Sequence, residues 1–149
     1  MVGELTAKEI EFLLRAEWVA RLGLHHEGRT YVVPIHYVFD GSAIYGRTNE
    51  GTKLAMMRAN PAVCVEVDHV DDPSNWQSVM AWGSFAELHG HAASTATKML
   101  LARIGPLMRG GTHAPAHWRP MEAEQDQSMV PAVVYRVVLE RATGRYERR

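Results

Sequence analysis

TYVVPIHYVF, the run from Thr30 to Phe39, sets the problem that the rest of this chain has to solve. Alternation places Tyr31, Val33, Ile35, Tyr37 and Phe39 on one face of a strand and Val32, Pro34, His36 and Val38 on the other. Both faces are largely apolar, so both need cover, as in a small barrel rather than a one-sided sheet. Pro34 has no N–H to give to a ladder, which places the strand at an edge or puts a bulge at its middle.

Upstream, Trp18 to His25 has strand character, and His26-Glu27-Gly28-Arg29 turns it into the run from Thr30 to Asp40, making a first hairpin. Thr6 and Glu9 have capping-box spacing, and Ile10, Leu13 and Leu14 recur at helical intervals, so a short amphipathic helix is expected from Ala7 to Leu14. Downstream, Asp40-Gly41 is a hairpin turn, and Ala43 to Arg47 is expected to pair back along the central run. A helix at Gly51 to Ala59, a strand at Pro61 to Asp68, a polar loop from His69 to Asn75 and a long strand from Trp76 to Leu88 follow. Gly83 marks a bulge or a close backbone approach. Ser94 or Thr95 caps a helix reaching Ile104 and closed by Gly105-Pro106. Met108 to Ser128, rich in Gly, Pro, His and Gln, reads as a long loop over a cofactor or dimer cleft. Ala132 to Arg141 is a last strand, and Ala142 to Arg149 a charged tail. Six strands arriving mostly as sequence neighbours specify a mainly β, antiparallel barrel with peripheral helices, because a doubly wound sheet needs helices between most strands.

The 149 residues fit one domain. Sixteen Lys and Arg against 17 Asp and Glu leave a formal charge of −1, so nothing global favours nucleic acid or an anionic membrane. Any anion site has to be local. The one cysteine, Cys64, lies in the apolar run Ala62-Val63-Cys64-Val65 and reads as a small buried residue of a cytosolic protein. No apolar signal segment opens the chain, and nowhere do ~18 uncharged apolar residues run together. A cytoplasmic protein is expected.

The local anion site is expected in Ile44 to Pro61, IYGRTNEGTKLAMMRANP. A strand feeding a helix through a polar turn leaves backbone N–H groups unpaired at the helix start, where the dipole also favours an anion. Arg47, Thr48 and Lys53 add two cations and a hydroxyl beside that point. The plain alternative is a solvated turn and helix start.

Arg29 to Val38, then Asp40-Gly41-Ser42-Ala43-Ile44-Tyr45, then Glu50-Gly51-Thr52-Lys53-Leu54 and Asn60-Pro61, in that order and spacing, resemble the pyridoxamine 5'-phosphate oxidase-like, FMN-binding split-barrel superfamily. Within it the likeness is to the flavin-binding branch that includes the nitroimidazole-resistance reductases. It spans Glu17 to Leu88 and returns in Glu140-Arg141-Ala142-Thr143-Gly144-Arg145. The resemblance implies a six-stranded split barrel and a homodimer with FMN in clefts between subunits. It implies that Arg47, Thr48 and Lys53, beside Tyr45 and Gly46, hold the FMN phosphate, while Val33, Pro34, Ile35 and His36 lie along the flavin ring. Ser78 matches a family position near the flavin, and Trp118, in Ala116-His117-Trp118-Arg119-Pro120, implies a contact from the late loop. Arg47 stands where that branch commonly has a histidine.

The histidines do not make a metal site. His25 and His26 point to opposite faces, Pro115 interrupts the i, i+4 pair His113 and His117, and no Cys or carboxylate completes zinc-like spacing. Trp18, Trp76 and Trp82 are most simply core or interface aromatics. The resemblance implies an oxidoreductase passing electrons from a reduced nicotinamide to a small acceptor, with a non-catalytic flavin or haem carrier as the alternative.

Overall fold

The computed structural model describes residues 1–109 and 132–149. In chain order its elements are β1 (Val2–Glu4), α1 (Ala7–Ala16), β2 (Val19–His26), β3 (Arg29–His36), β4 (Val38–Phe39), β5 (Ala43–Thr48), α2 (Thr52–Ala59), β6 (Ala62–Asp72), β7 (Asn75–Leu88), α3 (Gly90–Arg109) and β8 (Val133–Glu147). The strands form one antiparallel sheet in the order β3-β2-β6-β7-β8-β5-β4, with β1 beside β8. The expected mainly β architecture with peripheral helices is present. Among the described residues the strands number eight rather than six, because the central run divides and β1 is added.

That division organises the molecule. β3 and β4 are neighbours in the chain yet occupy opposite ends of the sheet order, so the ladder stays open while the backbone itself joins its two ends at Tyr37. Tyr37 is 0% exposed. Its N–H donates to the Trp18 carbonyl at 3.1 Å, and its hydroxyl donates to the Leu14 carbonyl in the last turn of α1 at 2.7 Å. One side chain thus fixes the bend and satisfies a helix-end carbonyl. The break lies at Tyr37 and not at Pro34, which sits on the edge strand β3 and pairs in register with Arg21 of β2.

Five further expectations change. The second face of β3 is uncovered: Val32 is 64% exposed, and Pro34 and His36 are exposed, because this face looks away from the barrel interior. β5 meets β4 over only two pairs, Val38 with Tyr45 and Phe39 with Ile44, and pairs along its whole length with β8 on its other side. β6 runs on to Asp72, leaving a tight turn where a polar loop is expected. α3 starts at Gly90, whose φ of +57° turns the chain straight out of β7, and continues through Pro106. Pro106 lies close enough to the helix end to forfeit little of the ladder. The expected charged tail is strand: β8 extends to Glu147, pairing with Trp76 of β7 and Val2 of β1.

Inward-facing side chains alternate along each strand, with Leu22, Ile44, Val65, Val67, Val79, Tyr135 and Val137 at the centre. α1 adds Leu13 and Leu14, and α2 adds Met56 and Met57. The Thr6–Glu9 capping box is formed in both directions, at 3.3 and 2.7 Å. Cys64 is half-buried on the outward face, because Val63 and Val65 take the inward positions. At Gly83 the register of β7 on β8 shifts, and a Cβ there would collide with the Val138 carbonyl.

On the outward face Glu66 and Asp68 of β6 approach Arg21 of β2 at 3.5 and 3.7 Å. Burial first, and then the Asp68 carboxylate, pushes Glu66 up to about 7 against the pull of Arg21. Its folded value lies above its unfolded one, so the unfolded chain releases this proton first, and stability falls as pH rises from about 4.5 to about 7. Glu66→Gln is expected to raise Tm at pH 8 and leave it near wild type at pH 4, read by thermal melts at the two pH values. Tyr37→Phe, which removes the hydroxyl bonded to Leu14, is expected to cost about 1–3 kcal/mol. Urea unfolding should show it as a lower midpoint with an unchanged slope.

Candidate functional site

β5 alternates so that Gly46 and Thr48 face inward and Arg47 faces out. Gly46 sits opposite Tyr135, and a Cβ there would strike the Tyr135 hydroxyl, so a glycine lets that ring into the core. Beyond Thr48 the chain turns through Asn49, Glu50 and Gly51 into α2, whose start carries no side-chain cap. Its first N–H groups are therefore available to an external acceptor.

Lys53 Nζ donates to Thr48 Oγ1 at 3.4 Å, and that hydroxyl donates to the Asn49 carbonyl at 3.2 Å. Burial pulls the Lys53 ammonium below its ordinary pKa. Among the described residues, no carboxylate lies within 4.0 Å of Lys53 or Arg47. The acids nearby belong to Arg58, which forms a fork to Glu50 at 2.8 and 3.1 Å and another to Glu87 at 2.8 and 3.0 Å. Arg58 thereby ties α2 to the turn before it and to the end of β7, and keeps both carboxylates from the two site cations.

Two clefts open at this place. One, of about 410 Å³, is lined by Trp18, Val19, Pro34, Ile35, His36, Arg47 and Lys53. The other, of about 560 Å³, is lined by His36, Arg47, Thr48, Asn49, Leu100, Leu101, Ile104, Gly105, Met108 and Ala132. His36 and Arg47 form the wall between them. The Trp18 ring tilts against His36, with centroids 5.3 Å apart.

The structure thus brings Pro34, Ile35, His36, Arg47, Thr48 and Lys53 together. The other expected residues stand apart from these clefts in the single chain. Val33 packs on the core, Gly46 lies under Tyr135, and the Tyr45 hydroxyl donates to Asp40 at 2.8 Å. Ser78 lies on β7, three strands from β3. Trp118 and the late loop beyond Arg109 lie outside the described residues. Sequence reasoning missed the apolar wall from α3, since helical periodicity alone does not say what a helix covers. It also missed Trp18, whose neighbour is set by strand pairing.

Residues 6–146, nearly the whole chain, match the family model described as pyridoxamine 5'-phosphate oxidase. The chain belongs to this family. Among solved structures it is similar to an FAD-binding protein from Mesorhizobium loti, with a TM-score of 0.80 and 27% identity over 100% of this chain and 98% of that one. A candidate 5-nitroimidazole antibiotic resistance protein from Bacteroides thetaiotaomicron shares the fold, with a TM-score of 0.69 and 19% identity over 98% of this chain and 87% of that one. An uncharacterized protein of Rhizobium meliloti is 30% identical over 84 residues, which are 56% of each chain, so the match spans little more than half of that relative. The family agrees with the resemblance read over Glu17 to Leu88. Among the described residues, no three metal-ligating side chains come together, and no helix is long and apolar enough to cross a membrane.

Because Arg58 holds α2 in place, Arg58→Ala is expected to speed amide hydrogen exchange across Thr52–Ala59 while the β7–β8 pairs stay protected. Unchanged exchange in α2 would show that packing of Leu54, Met56 and Met57 alone positions Lys53.

Proposed function

We propose that this protein binds a flavin nucleotide, FMN, and works as an oxidoreductase passing electrons from a reduced nicotinamide to a small acceptor. One observation carries the reading: a half-buried lysine and an exposed arginine converge on a helix start with no carboxylate to neutralise them among the described residues. A doubly charged phosphate fits that donor set, since it accepts from Lys53, Arg47 and the first N–H groups of α2 together, and from Thr48 once its hydroxyl turns from the Asn49 carbonyl. The cleft beside it has the edge strand Pro34-Ile35-His36 as one wall, a surface on which a flat ring can lie. The FAD-binding relative from Mesorhizobium loti supports a flavin in this fold.

When bound, flavin supplies the electron-transfer chemistry, and the chain supplies position and charge. Lys53 and Arg47 hold the phosphate end, Thr48 orients the ammonium through its hydroxyl, and Pro34 and Ile35 exclude water from one side of the ring. His36 offers a ring nitrogen at the cleft wall. A homodimer belongs to the same proposal: Val32, Trp18 and Trp82 leave apolar surface exposed on the outward face, and a second copy would cover it and complete the cleft.

The direct test is to purify the protein, titrate it with FMN and follow visible absorbance while adding a reduced nicotinamide. Saturable uptake and bleaching are expected, and failure to take up FMN would sink the proposal. Lys53→Ala is expected to weaken FMN about 10–100-fold by removing a charge-assisted contact. Unchanged affinity would take Lys53 out of the site.

A further inference from the structure

We infer that the larger cleft is a substrate subsite for a small apolar molecule carrying one anionic group. Its place beside a cofactor rests on the flavin reading above. The smaller cleft contains the strand and the lysine that the flavin requires, and it ends at His36 and Arg47. The larger cleft begins at those same two residues and has a different character. Its far wall is the apolar side of α3, where Leu100 and Ile104 are buried and Leu101 is 61% exposed. Its near wall is polar, formed by Arg47, His36 and Asn49.

A pocket with one charged end and one apolar side sorts ligands by both features. At about 560 Å³ it falls in the range of sites for small molecules, ~300–1,000 Å³. Arg47 has no acidic partner among the described residues, so an incoming anion displaces no ion pair with any of them. A guanidinium carries five N–H donors in a planar fork, so this one side chain can face a phosphate in one cleft and a carboxylate in the other. Leu100, Leu101 and Ile104 then desolvate the body of the ligand while Arg47 fixes its charged end. Lacking either feature, a molecule loses one of the two contributions: an inorganic anion finds no apolar partner, and a neutral arene finds no charge.

Isothermal titration with 2-naphthoate and neutral 2-naphthamide, on FMN-loaded protein and on apoprotein, tests the assignment. Naphthoate is expected to bind at least tenfold more tightly than the amide, and Arg47→Ala to erase that preference. Leu101→Glu, at an exposed position on the apolar wall, is expected to weaken naphthoate at least tenfold with FMN affinity as in wild type. Equal affinities for the two probes in FMN-loaded wild type, or naphthoate binding only where FMN is absent, overturns the assignment. So does FAD binding more than tenfold tighter than FMN while shutting naphthoate out, since the cleft then belongs to the adenylate half of the cofactor. A protein that takes up no FMN but keeps the Arg47-dependent preference refutes the flavin reading and upholds the cleft.

Discussion

A buried phenol and its own backbone N–H fix the point at which one long extended run changes partners. Tyr37 reaches Leu14 with its hydroxyl and Trp18 with its amide, so α1, the start of β2 and the β3–β4 bend are held by one residue. Everything at the site follows from that bend. β3 stays beside β2 at one end of the sheet order, while β4 crosses to pair with β5 at the other. His36, the last residue of β3, is thereby carried to within reach of Arg47, which comes from the opposite end of the sheet. Without the bend these two residues would belong to different sides of the molecule.

Charge is arranged by subtraction. Arg58 draws Glu50 and Glu87 into a double fork, and those two carboxylates are spent there. Lys53, with burial lowering its pKa, is left with a neutral hydroxyl as its partner. A half-buried ammonium in that setting is destabilised relative to one facing an anion, so the phosphate proposed for this site would relieve a cost already present in the free protein. The same arrangement accounts for a local cation pair in a chain whose formal charge is −1.

Alternation and turn chemistry made much of the fold legible. The Thr6–Glu9 box, the Gly28 and Gly41 turns and the bulge at Gly83 are local signals, and each has its counterpart. The pairing of β5 with β8 was not legible, because nothing in Ala43 to Thr48 names a partner nearly ninety positions away. Nor was the strand character of Ala142 to Glu147: charges alternating on an outward face read like a tail until β1 and β7 flank them. At the site, Arg47, Thr48 and Lys53 announced themselves by spacing around one helix start. Trp18 and the α3 wall did not, since they arrive through tertiary packing that no short window contains.

β8 holds three neighbours, β1, β5 and β7, and it follows all three of them in the chain. A ribosome that has finished α3 has therefore released a chain in which β5 and β7 each expose a long row of backbone donors and acceptors. Such edges recruit other strands. The sheet becomes continuous only when Val133 to Glu147 slots between them, so its assembly waits for a strand made after both of its neighbours. The interval before β8 emerges is when nascent copies are most prone to join one another.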